Sequence, residues 1–339
     1  MTRSRLAVTR KQVLAFRRQV GALDERLPAG PRSLRRAAWA GLQDSMPRAA
    51  LLSIHARVEG TGPSTWEDPS LVQLWGPHHH AYVVARRDLA VFSLGRLPDD
   101  LAGRELANDL AARLHGLLGV EVMTYGNAGH ALGENANRLR YAAPTGTVLI
   151  RWDGARQPTI WTVPPPEVDP EEARLELVRR FLHIFGPATP EAFAEWSAIP
   201  AKRAHAAFVA LGRSLTPVGT PIGDAWILTR DEPTFAVPPE TVAPARLLPS
   251  GDTYFLLQGA DRELLVADPD RRRELWTPRV WPGALLVEGE IVGVWRRAQA
   301  TVAMQTWRRL SRAARYAVEA EAASLPLPGV EGQIVVRWD

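Results

Sequence analysis

Residues 171–228 read EEARLELVRRFLHIFGPATPEAFAEWSAIPAKRAHAAFVALGRSLTPVGTPIGDAWIL. Apolar residues recur at helical spacing over 171–185 and predict a helix there. Two shorter helices, over 190–197 and 200–212, follow proline-bounded turns. Two β-like pieces, 215–218 and 225–228, come next. Three helices followed by a β-hairpin make up the winged-helix unit, a variant of the helix-turn-helix.

The same order of elements recurs towards the amino terminus. Helices over 33–42 and 47–58 precede a strand over 81–84, and a helix over 100–118 precedes strands over 147–153 and 159–163. Proline-rich junctions stand at Pro164-Pro165-Pro166 and Pro238-Pro239. The chain has no strict sequence repeat, so only the architecture is repeated.

After Pro244 the pattern becomes rich in strands. Hairpin residues Val287-Glu288-Gly289-Glu290-Ile291 lie in the middle of this region. The expected elements are strands over 254–257, 264–267, 285–288, 291–296 and 301–307, a helix over 312–325 and a last strand over 333–338. The predicted fold class is therefore α+β, with tandem winged-helix units followed by a β-rich C-terminal domain. We expect boundaries at 1–97, 98–166, 167–244 and 245–339.

The composition is that of a globular protein, with 46% hydrophobic and 23% charged residues in 339. The chain has no cysteine, which excludes disulfides and thiolate metal sites. Its apolar runs are shorter than a membrane span, and its first residues lack the apolar core of a signal peptide. We therefore expect a cytosolic protein, associated with the nucleoid when on DNA.

Positive charge is concentrated at the amino terminus. Net charge is only +4, and Lys11 and Lys202 are the only lysines, so arginine supplies almost all of the basic residues. Residues 1–40 contain ten basic residues (Arg3, Arg5, Arg10, Lys11, Arg17, Arg18, Arg26, Arg32, Arg35 and Arg36) against Asp24 and Glu25. Such a region either attracts a polyanion or forms a solvated surface.

A row of polar residues lies in the segment AWAGLQDSMPR, residues 38–48. Gln43, Asp44 and Ser45 fall between two predicted helices, just before Pro47, and proline is frequent in the first turn of a helix. These side chains can face a cleft and hold a water molecule near a polyanion. In the alternative interpretation, Asp44 or Ser45 caps the following helix by accepting its first amide hydrogens.

Four stretches in this order resemble the winged-helix DNA glycosylases of the AlkZ-like and YcaQ-like type. They are Gly41-Leu42-Gln43-Asp44-Ser45 with 51–57; Leu74-Trp75-Gly76-Pro77 with Tyr82-Val83-Val84, Arg86 and Asp88-Leu89; Arg180-Phe181-Leu182 with Phe185-Gly186-Pro187-Ala188-Thr189, Phe193 and Trp196; and Leu286-Val287-Glu288-Gly289 with Val292-Gly293-Val294-Trp295-Arg296 and the helix of Glu319 and Glu321. The resemblance implies tandem winged helices with a C-terminal β domain, curved around duplex DNA. It also implies removal of alkylated purines, in some members from bulky adducts or interstrand crosslinks.

The resemblance further implies a catalytic pair made of a glutamine, one spacer, and a second glutamine or an aspartate. Gln43 matches the first position, Ser45 stands at the second, and Asp44 occupies the spacer, which is usually apolar. In an extended chain Gln43 and Ser45 share a face and Asp44 points away. In a turn Asp44 is available as a base. Both geometries are compatible with the sequence.

The chemistry suits such a pair. Breaking an N-glycosidic bond develops oxocarbenium character on the sugar, which a carboxylate or an amide dipole stabilises while it positions a water molecule. A cationic alkylpurine is already a good leaving group, so strong acid catalysis is unnecessary. The candidate catalytic residues are therefore Gln43, Asp44 and Ser45.

Basic residues near this segment are candidates for contacts with the DNA backbone. They are Arg32, Arg35, Arg36, Arg48, His78, His79, Arg86 and Arg87. The run His78-His79-His80 also raises the question of a metal, but consecutive residues do not readily converge on one ion, so no metal is expected. Solvated surface positions are the alternative for these residues.

Three functions are consistent with these patterns. The first is a monofunctional DNA glycosylase that hydrolyses the N-glycosidic bond of alkylated purines in duplex DNA. The second is a winged-helix DNA-binding protein without catalytic activity, because Ser45 replaces the family residue, and the third is a protein-binding regulator. We expect a monomer that binds duplex DNA without a cofactor and without contact with a membrane.

Overall fold

The structure, a computed structural model, describes residues 6–46, 48–154, 156–236, 244–330 and 332–339. Arg3, Arg5, Pro47 and the Pro238-Pro239 junction lie outside the described residues. The α-helices are α1 Arg10–Val20, α2 Pro31–Ala37, α3 Ala49–His55, α4 Leu89–Ser93, α5 Leu101–Leu118, α6 Tyr125–Ala131, α7 Pro170–Phe185, α8 Pro190–Ser197, α9 Ala201–Leu211, α10 Glu232–Ala236, α11 Asp261–Leu265, α12 Pro269–Leu275 and α13 Arg312–Ala323.

The strands are mostly short. They are β1 Leu6–Ala7, β2 Leu42–Gln43, β3 Leu71–Trp75, β4 Ala81–Ala85, β5 Met123–Thr124, β6 Val148–Arg151, β7 Thr159–Thr162, β8 Leu215–Thr220, β9 Gly223–Leu228, β10 Arg246–Leu248, β11 Gly283–Val287, β12 Glu290–Ala298, β13 Thr301–Thr306 and β14 Val335–Trp338. The chain is thus a mixed α+β protein, as predicted. No helix among the described residues is both long enough and apolar enough to cross a membrane.

The segment that begins with α7 follows the predicted order of three helices and a hairpin. The side chain of Asp169 caps α7 by accepting the amide hydrogens of Glu171 and Glu172, and Thr189 caps α8. Strands β8 and β9 pair antiparallel along their whole length. The rings of Phe181, Phe185, Phe193 and Trp196 pack against one another and form the core between the helices.

Strands from the first two predicted units join in one sheet. Its order is β2-β4-β3-β6-β7-β5, and β3 meets β6 where Gln73 pairs with Ile150. Leu110 and Leu114 of α5 are fully buried and pack, with Ile150 and Ile160, on the β6–β7 side of the sheet. The strand pairing therefore crosses the predicted boundary at residue 97.

The amino-terminal elements pack against elements that are distant in sequence. Strand β1 runs parallel to β8, and α1 contacts α7 and α10. The guanidinium of Arg17, at 2% exposure, donates to the carbonyls of Phe185 and Gly186 and so holds the end of α7. Residues 6–20 are thus attached to the third predicted segment, and the domain boundaries stay a prediction.

The C-terminal region contains a sheet in the order β10-β11-β12-β13-β14, with the apolar face of α13 packed on it. Strands expected over 254–257 and 264–267 are absent from this described region. Residues 254–257 lie in a turn, because Asp252 accepts the amide hydrogens of Tyr254 and Leu256, and α11 ends at Leu265. Both expectations were wrong because a short apolar run buried on all sides has the same pattern in a strand, a helix or a turn.

A buried ion pair connects this region to α3. The guanidinium of Arg57, just after α3, makes two 2.7 Å hydrogen bonds to the carboxylate of Asp252, and both side chains are almost fully buried. Arg57 also donates to Thr253 and to the carbonyl of Ser53. Because both Nη atoms of Arg57 are hydrogen-bonded, the pair anchors the turn that contains Asp252 to the end of α3.

Candidate active site

Gln43 lies on an extended piece of chain. Helix α2 ends at Ala37, and Gly41, at φ +73°, turns the chain into β2; a Cβ here would lie 3.0 Å from the ring of Phe92, so the turn requires glycine. Gln43 then pairs with Tyr82 of β4. The expected helix over 33–42 is therefore shorter than predicted. The strand covers Leu42 and Gln43, the amide of Asp44 still donates to the carbonyl of Ala81, and the chain bends at Ser45.

Gln43 and Ser45 face the same cavity, which has a volume of about 350 Å³. His78 and His80 line it beside them. On the other sides it is lined by Trp196 of α8, by Ser250, Leu256 and Gln258, and by Arg279, Val280 and Trp281 just before β11. The cavity is thus formed by three distant parts of the chain, and its volume falls in the range of ligand pockets.

The amide of Gln43 is held by two neighbours. Its Nε2 donates to Oγ of Ser45 at 3.1 Å and lies 2.9 Å from Nδ1 of His80. Burial, together with the charges of His78 and Arg140, lowers the pKa of His80. A neutral imidazole carries its proton on one ring nitrogen only. With that proton on Nε2, Nδ1 of His80 accepts from the Gln43 amide nitrogen, and Oε1 of Gln43 is left as an acceptor.

The turn of Asp252 closes the site against Gln43. Gly251 in that turn has φ +76°, and a Cβ added there would lie 3.2 Å from Oε1 and Cδ of Gln43. The backbone of Gly251 therefore lies directly against the amide group. A side chain at this position would displace it.

Asp44 points away from the cavity into the protein and is 2% exposed. One carboxylate oxygen accepts the amide hydrogen of Ala50 at 3.0 Å and the other accepts from Gln73 at 2.6 Å. Burial raises its pKa to about 6, although Ala50, Arg48 and Gln73 act in the opposite direction. Asp44 thus accepts an amide hydrogen in the first turn of α3, as the alternative interpretation expected, although the N-cap position itself is Arg48.

Several of the candidate DNA contacts are engaged within the protein. Arg35 makes two 2.8 Å hydrogen bonds to Asp88, which Arg180 also contacts at 2.9 Å. The guanidinium of Arg48 lies 3.5 Å from the ring centre of Trp66 and 3.7 Å from Asp44. These contacts engage both guanidiniums within the protein, and the contact of Arg35 and Arg48 with the DNA backbone stays a prediction.

Other candidates remain at the surface. Arg86 is exposed but donates to the carbonyl of Pro69, and Arg87 beside it is exposed. Arg32 and Arg36 are exposed and lie four residues apart, on one face of α2. These three, Arg32, Arg36 and Arg87, stay candidates for contacts with a polyanion.

Several of the ten basic residues in 1–40 form contacts within the protein, so fewer of them are available to bind a polyanion than their number indicates. Arg17 and Arg18 are buried, and Arg18 donates to Asp24 and to the carbonyl of Gly289. Arg10 pairs with Glu290, and Arg26 pairs with Glu321. Much of the amino-terminal charge therefore fixes α1 and its surroundings to the rest of the protein.

The three histidines do not converge on one point. His78 contacts the carbonyl of Glu195 at 2.6 Å, and its ring centre lies 6.2 Å from that of His80. His79 packs edge-on against Tyr141, and burial lowers its pKa to about 4. Across the described residues, no group of three histidine, aspartate or glutamate side chains is arranged to hold a metal ion.

The sequence did not single out several residues of the site. His80 belongs to the recognised histidine run, but the run alone does not show which ring reaches Gln43. Gly251, Arg279 and Trp281 are distant in sequence and had no local signal. For Gly251 the one sequence feature is the turn composition of Pro249-Ser250-Gly251-Asp252.

Comparison with known proteins adds to this geometry. A family model described as "DNA glycosylase AlkZ-like" matches residues 36–326. A relative from Streptomyces sahachiroi, "Interstrand DNA cross-link repair glycosylase", is 28% identical over 176 residues, which are 50% of this chain and 46% of the relative. The aligned part thus spans less than half of that relative's length.

A solved structure shows the same fold over nearly the full length. "Streptomyces sahachiroi DNA glycosylase AlkZ" superposes with a TM-score of 0.79 and 20% identity, and the match covers 98% of this chain and 100% of that one. The family model spans both walls of the cavity, from before Gln43 to beyond Trp281. The chain therefore belongs to the AlkZ-like family of DNA glycosylases.

Proposed function

We propose that this protein hydrolyses the N-glycosidic bond of alkylated purines in duplex DNA, with Gln43 and Ser45 as its catalytic residues. It acts as a monomer without a cofactor, and its units are tandem winged helices over 1–97, 98–166 and 167–244, followed by the β-rich domain 245–339. Membership of a DNA glycosylase family supports the activity, and the relative named for crosslink repair supports bulky lesions as substrates.

One observation carries the proposal. Gln43 and Ser45 lie hydrogen-bonded to each other on the wall of a cavity of about 350 Å³, and the resemblance to the family assigns them to the two positions of its catalytic pair. The cavity is large enough for a purine base. Trp196 and Trp281 provide apolar ring surface on its other sides.

The site suits a purine that is already a good leaving group because alkylation has given it a positive charge. The C1′–N bond breaks with its electron pair going to the cationic alkylpurine, which departs as a neutral base. A water molecule held by Oε1 of Gln43 and by Oγ of Ser45 adds to C1′, and its proton passes to solvent. The amide and hydroxyl dipoles stabilise the positive charge that develops on the sugar.

Asp44 acts as a positioning residue in this scheme. Its carboxylate fixes the first turn of α3 and the side chain of Gln73, on the side of the chain opposite to Gln43. Because Gln43 and Ser45 are bonded to Asp44 in the chain and face the cavity while Asp44 faces inwards, fixing Asp44 also restrains its two neighbours.

Single-turnover excision tests the proposal directly. A duplex with one N7-methylguanine is incubated with excess protein, and alkali then cleaves at abasic sites. We expect the Gln43→Ala variant to be at least a hundredfold slower than the wild type, and the Gln305→Ala variant, at an exposed position on β13, to match the wild type. Full activity in the Gln43→Ala variant would remove Gln43 from the mechanism.

A second function, DNA binding without hydrolysis, is favoured by one feature. The side chains that flank Gln43 on the cavity wall are Ser45 and His80, and the nearby carboxylate, Asp44, points inwards. A Ser45→Gln variant separates the two functions. If Ser45 is a weakened catalytic position, the glutamine raises the excision rate; if the wild type excises nothing and the variant does, the wild-type protein is a binding protein.

A further inference from the structure

A stretch rich in arginine and aromatic residues joins β13 to α13, outside the active site. Residues 306–316 read TWRRLSRAARY, and residues 299–318 contain four arginines and no aspartate or glutamate. The proposed hydrolysis at Gln43 uses none of these residues. The stretch is therefore a candidate for a separate function.

Side chains of this stretch line a groove of about 630 Å³ beside β14, the edge strand of the C-terminal sheet. The residues that define this α13 groove are Arg309, Arg312, Arg315, Tyr316, Glu319 and Trp338. Those that belong to α13 are three or four residues apart and therefore lie on one face of the helix. The groove shares no lining residue with the cavity beside Gln43, and its volume falls in the range of ligand sites.

Three guanidinium groups of the α13 groove have no carboxylate partner. Arg309, Arg312 and Arg315 are exposed, and within the part of the chain that the structure describes none of them forms an ion pair. Their neighbour Arg308, in contrast, donates to Glu288 at 2.8 Å. A guanidinium binds phosphate through two parallel hydrogen bonds, so this cluster fits a chain of phosphate groups.

Two carboxylates, Glu319 and Asp339, also line the groove. Glu319 accepts a hydrogen bond from Nε1 of Trp338 at 2.8 Å and lies about two helical turns beyond Arg312. The positive charge is therefore concentrated at the end of the groove where α13 begins.

Two aromatic rings lie beside the guanidinium groups. The side chain of Tyr316 is 74% exposed, so its ring is open to a ligand. The guanidinium of Arg315 lies 4.5 Å from the ring centre of Trp338 and is held over it. An open aromatic ring stacks on an unpaired base while neighbouring cations follow the phosphates. Because the bases of a duplex are already stacked on one another, Tyr316 fits a single strand better than a duplex.

We propose that the α13 groove binds a segment of single-stranded DNA, with Arg309, Arg312 and Arg315 on its phosphates and Tyr316 stacked on a base. This site holds unpaired DNA while the cavity beside Gln43 holds the lesion. It goes beyond the proposed hydrolysis and can be tested without it, because the two sites have no residue in common.

Fluorescence anisotropy with a labelled oligothymidylate of about twelve nucleotides tests the site. The full-length wild type is compared with a variant that combines Arg309→Gln, Arg312→Gln and Arg315→Gln. We expect Kd to rise at least tenfold in this variant. The slope of log affinity against log salt concentration should fall by about two, because each phosphate contact of a single strand contributes about 0.7.

The matched control combines Arg104→Gln, Arg113→Gln and Arg138→Gln. These changes remove the same charge from arginines that pair with carboxylates on and near α5. The control should keep the wild-type Kd within about twofold. A wild type that does not bind the strand, or a control that is weakened as much as the groove variant, would overturn the site.

Two substitutions of Tyr316 test the aromatic ring. Tyr316→Ala removes the ring, and we expect Kd for the strand to rise at least fivefold. Tyr316→Phe keeps the ring and should bind as the wild type does. An equal Kd in both variants would overturn the stacking of a base on Tyr316 and with it the binding of a single strand.

A competition experiment separates the α13 groove from the cavity beside Gln43. The protein is first saturated with an unlabelled duplex that carries N7-methylguanine on a 2′-fluoroarabino sugar, which resists hydrolysis, and the labelled strand is then titrated. We expect an unchanged Kd for the strand, and displacement of the strand by the duplex would overturn the separate site. The groove variant should excise N7-methylguanine from a short duplex at the wild-type rate. If neither protein excises it, only the proposed hydrolysis fails.

Discussion

Nε2 of Gln43 lies 2.9 Å from Nδ1 of His80, and this contact sets the direction of the amide group. A glutamine amide can be turned either way in a cavity, but a neutral imidazole nitrogen with a free lone pair accepts only from the NH₂ side. With its ring proton on Nε2, His80 therefore selects the orientation of the Gln43 amide in which Oε1 is the acceptor. Residues 43 and 80 are brought together by the pairing of β2 with β4.

Two substitutions of His80 should show whether its acceptor atom, rather than its volume, holds the amide group of Gln43. The Oδ1 atom of asparagine is the same number of bonds from the backbone as Nδ1 of histidine, so His80→Asn keeps an acceptor for Gln43 and His80→Ala removes it. We expect His80→Ala to lower the single-turnover excision rate tenfold or more, with little change in DNA affinity, and His80→Asn to recover most of the rate.

The matched control for this pair is His205→Ala, an exposed histidine that pairs with Glu191. It should leave the rate unchanged. An excision rate of His80→Asn as low as that of His80→Ala would contradict this role of His80, because the acceptor atom would then have no effect on the rate.

A methyl group at Gly251 should disturb the amide from the opposite side. In Gly251→Ala the new Cβ would lie 3.2 Å from Oε1 of Gln43, and φ +76° adds strain of about 1 to 2 kcal/mol. We expect at least a tenfold slower excision. Gly259→Ala is the control, because φ is +51° there and nothing lies within 4 Å of the added Cβ. Equal rates in both variants would show that the close approach to Gln43 has no effect on catalysis.

The buried carboxyl of Asp44 should make stability depend on pH. Its pKa of about 6 in the folded protein exceeds the ordinary 3.8, so the folded state binds the proton more tightly. This contribution is complete below pH 3.8 and is lost as the pH rises through 6. The free energy of unfolding of the wild type minus that of Asp44→Asn should therefore fall by up to about 2 to 3 kcal/mol between pH 4 and pH 7.

Urea unfolding at several pH values measures this difference, and groups common to both proteins cancel in it. A difference that stays constant would mean that Asp44 ionises as easily in the folded protein as in the unfolded chain, and one that rises with pH would mean that it ionises more easily in the folded protein.

The Arg57–Asp252 pair should be important for stability. Asp252→Asn leaves the buried guanidinium of Arg57 without its counter-charge, and we expect a loss of about 3 kcal/mol or more in the free energy of unfolding. The control is Glu288→Gln, which removes the exposed pair with Arg308 and should cost about 1 kcal/mol or less. Similar losses in both variants, measured by urea unfolding, would contradict the structural role of the buried pair.

Salt dependence should distinguish exposed arginines from engaged ones. If α2 contacts DNA, Arg36→Gln should reduce the slope of log affinity against log salt concentration by about one. Arg35→Gln should leave the slope unchanged and lower stability, because Arg35 pairs with Asp88. Fluorescence anisotropy with a labelled duplex gives the slopes, and a wild-type affinity that does not vary with salt would argue against DNA binding altogether.

Much of the local structure followed from periodicity and capping residues. Helices α7 and α8 lie within one residue of their predicted limits, because Asp169 and Thr189 cap them and their apolar faces repeat at helical spacing. The sequence also pointed to Gln43 and Ser45 through their place in a polar segment of the family pattern. These features depend on neighbours along the chain, so the sequence by itself determines them.

The surroundings of Gln43 were decided by contacts between distant residues. Asp44 faces the core because β2 pairs with β4 and because Gln73, 29 residues further along the chain, donates a hydrogen bond to its carboxylate. The closure of the cavity depended on Arg57 reaching Asp252 across 195 residues. Local propensity carries no information about such pairs. The partner of a buried charge can be a residue that is distant in sequence and close only in the folded protein. Only the tertiary structure could therefore show that Asp44 faces inwards and that His80 and Gly251 flank Gln43.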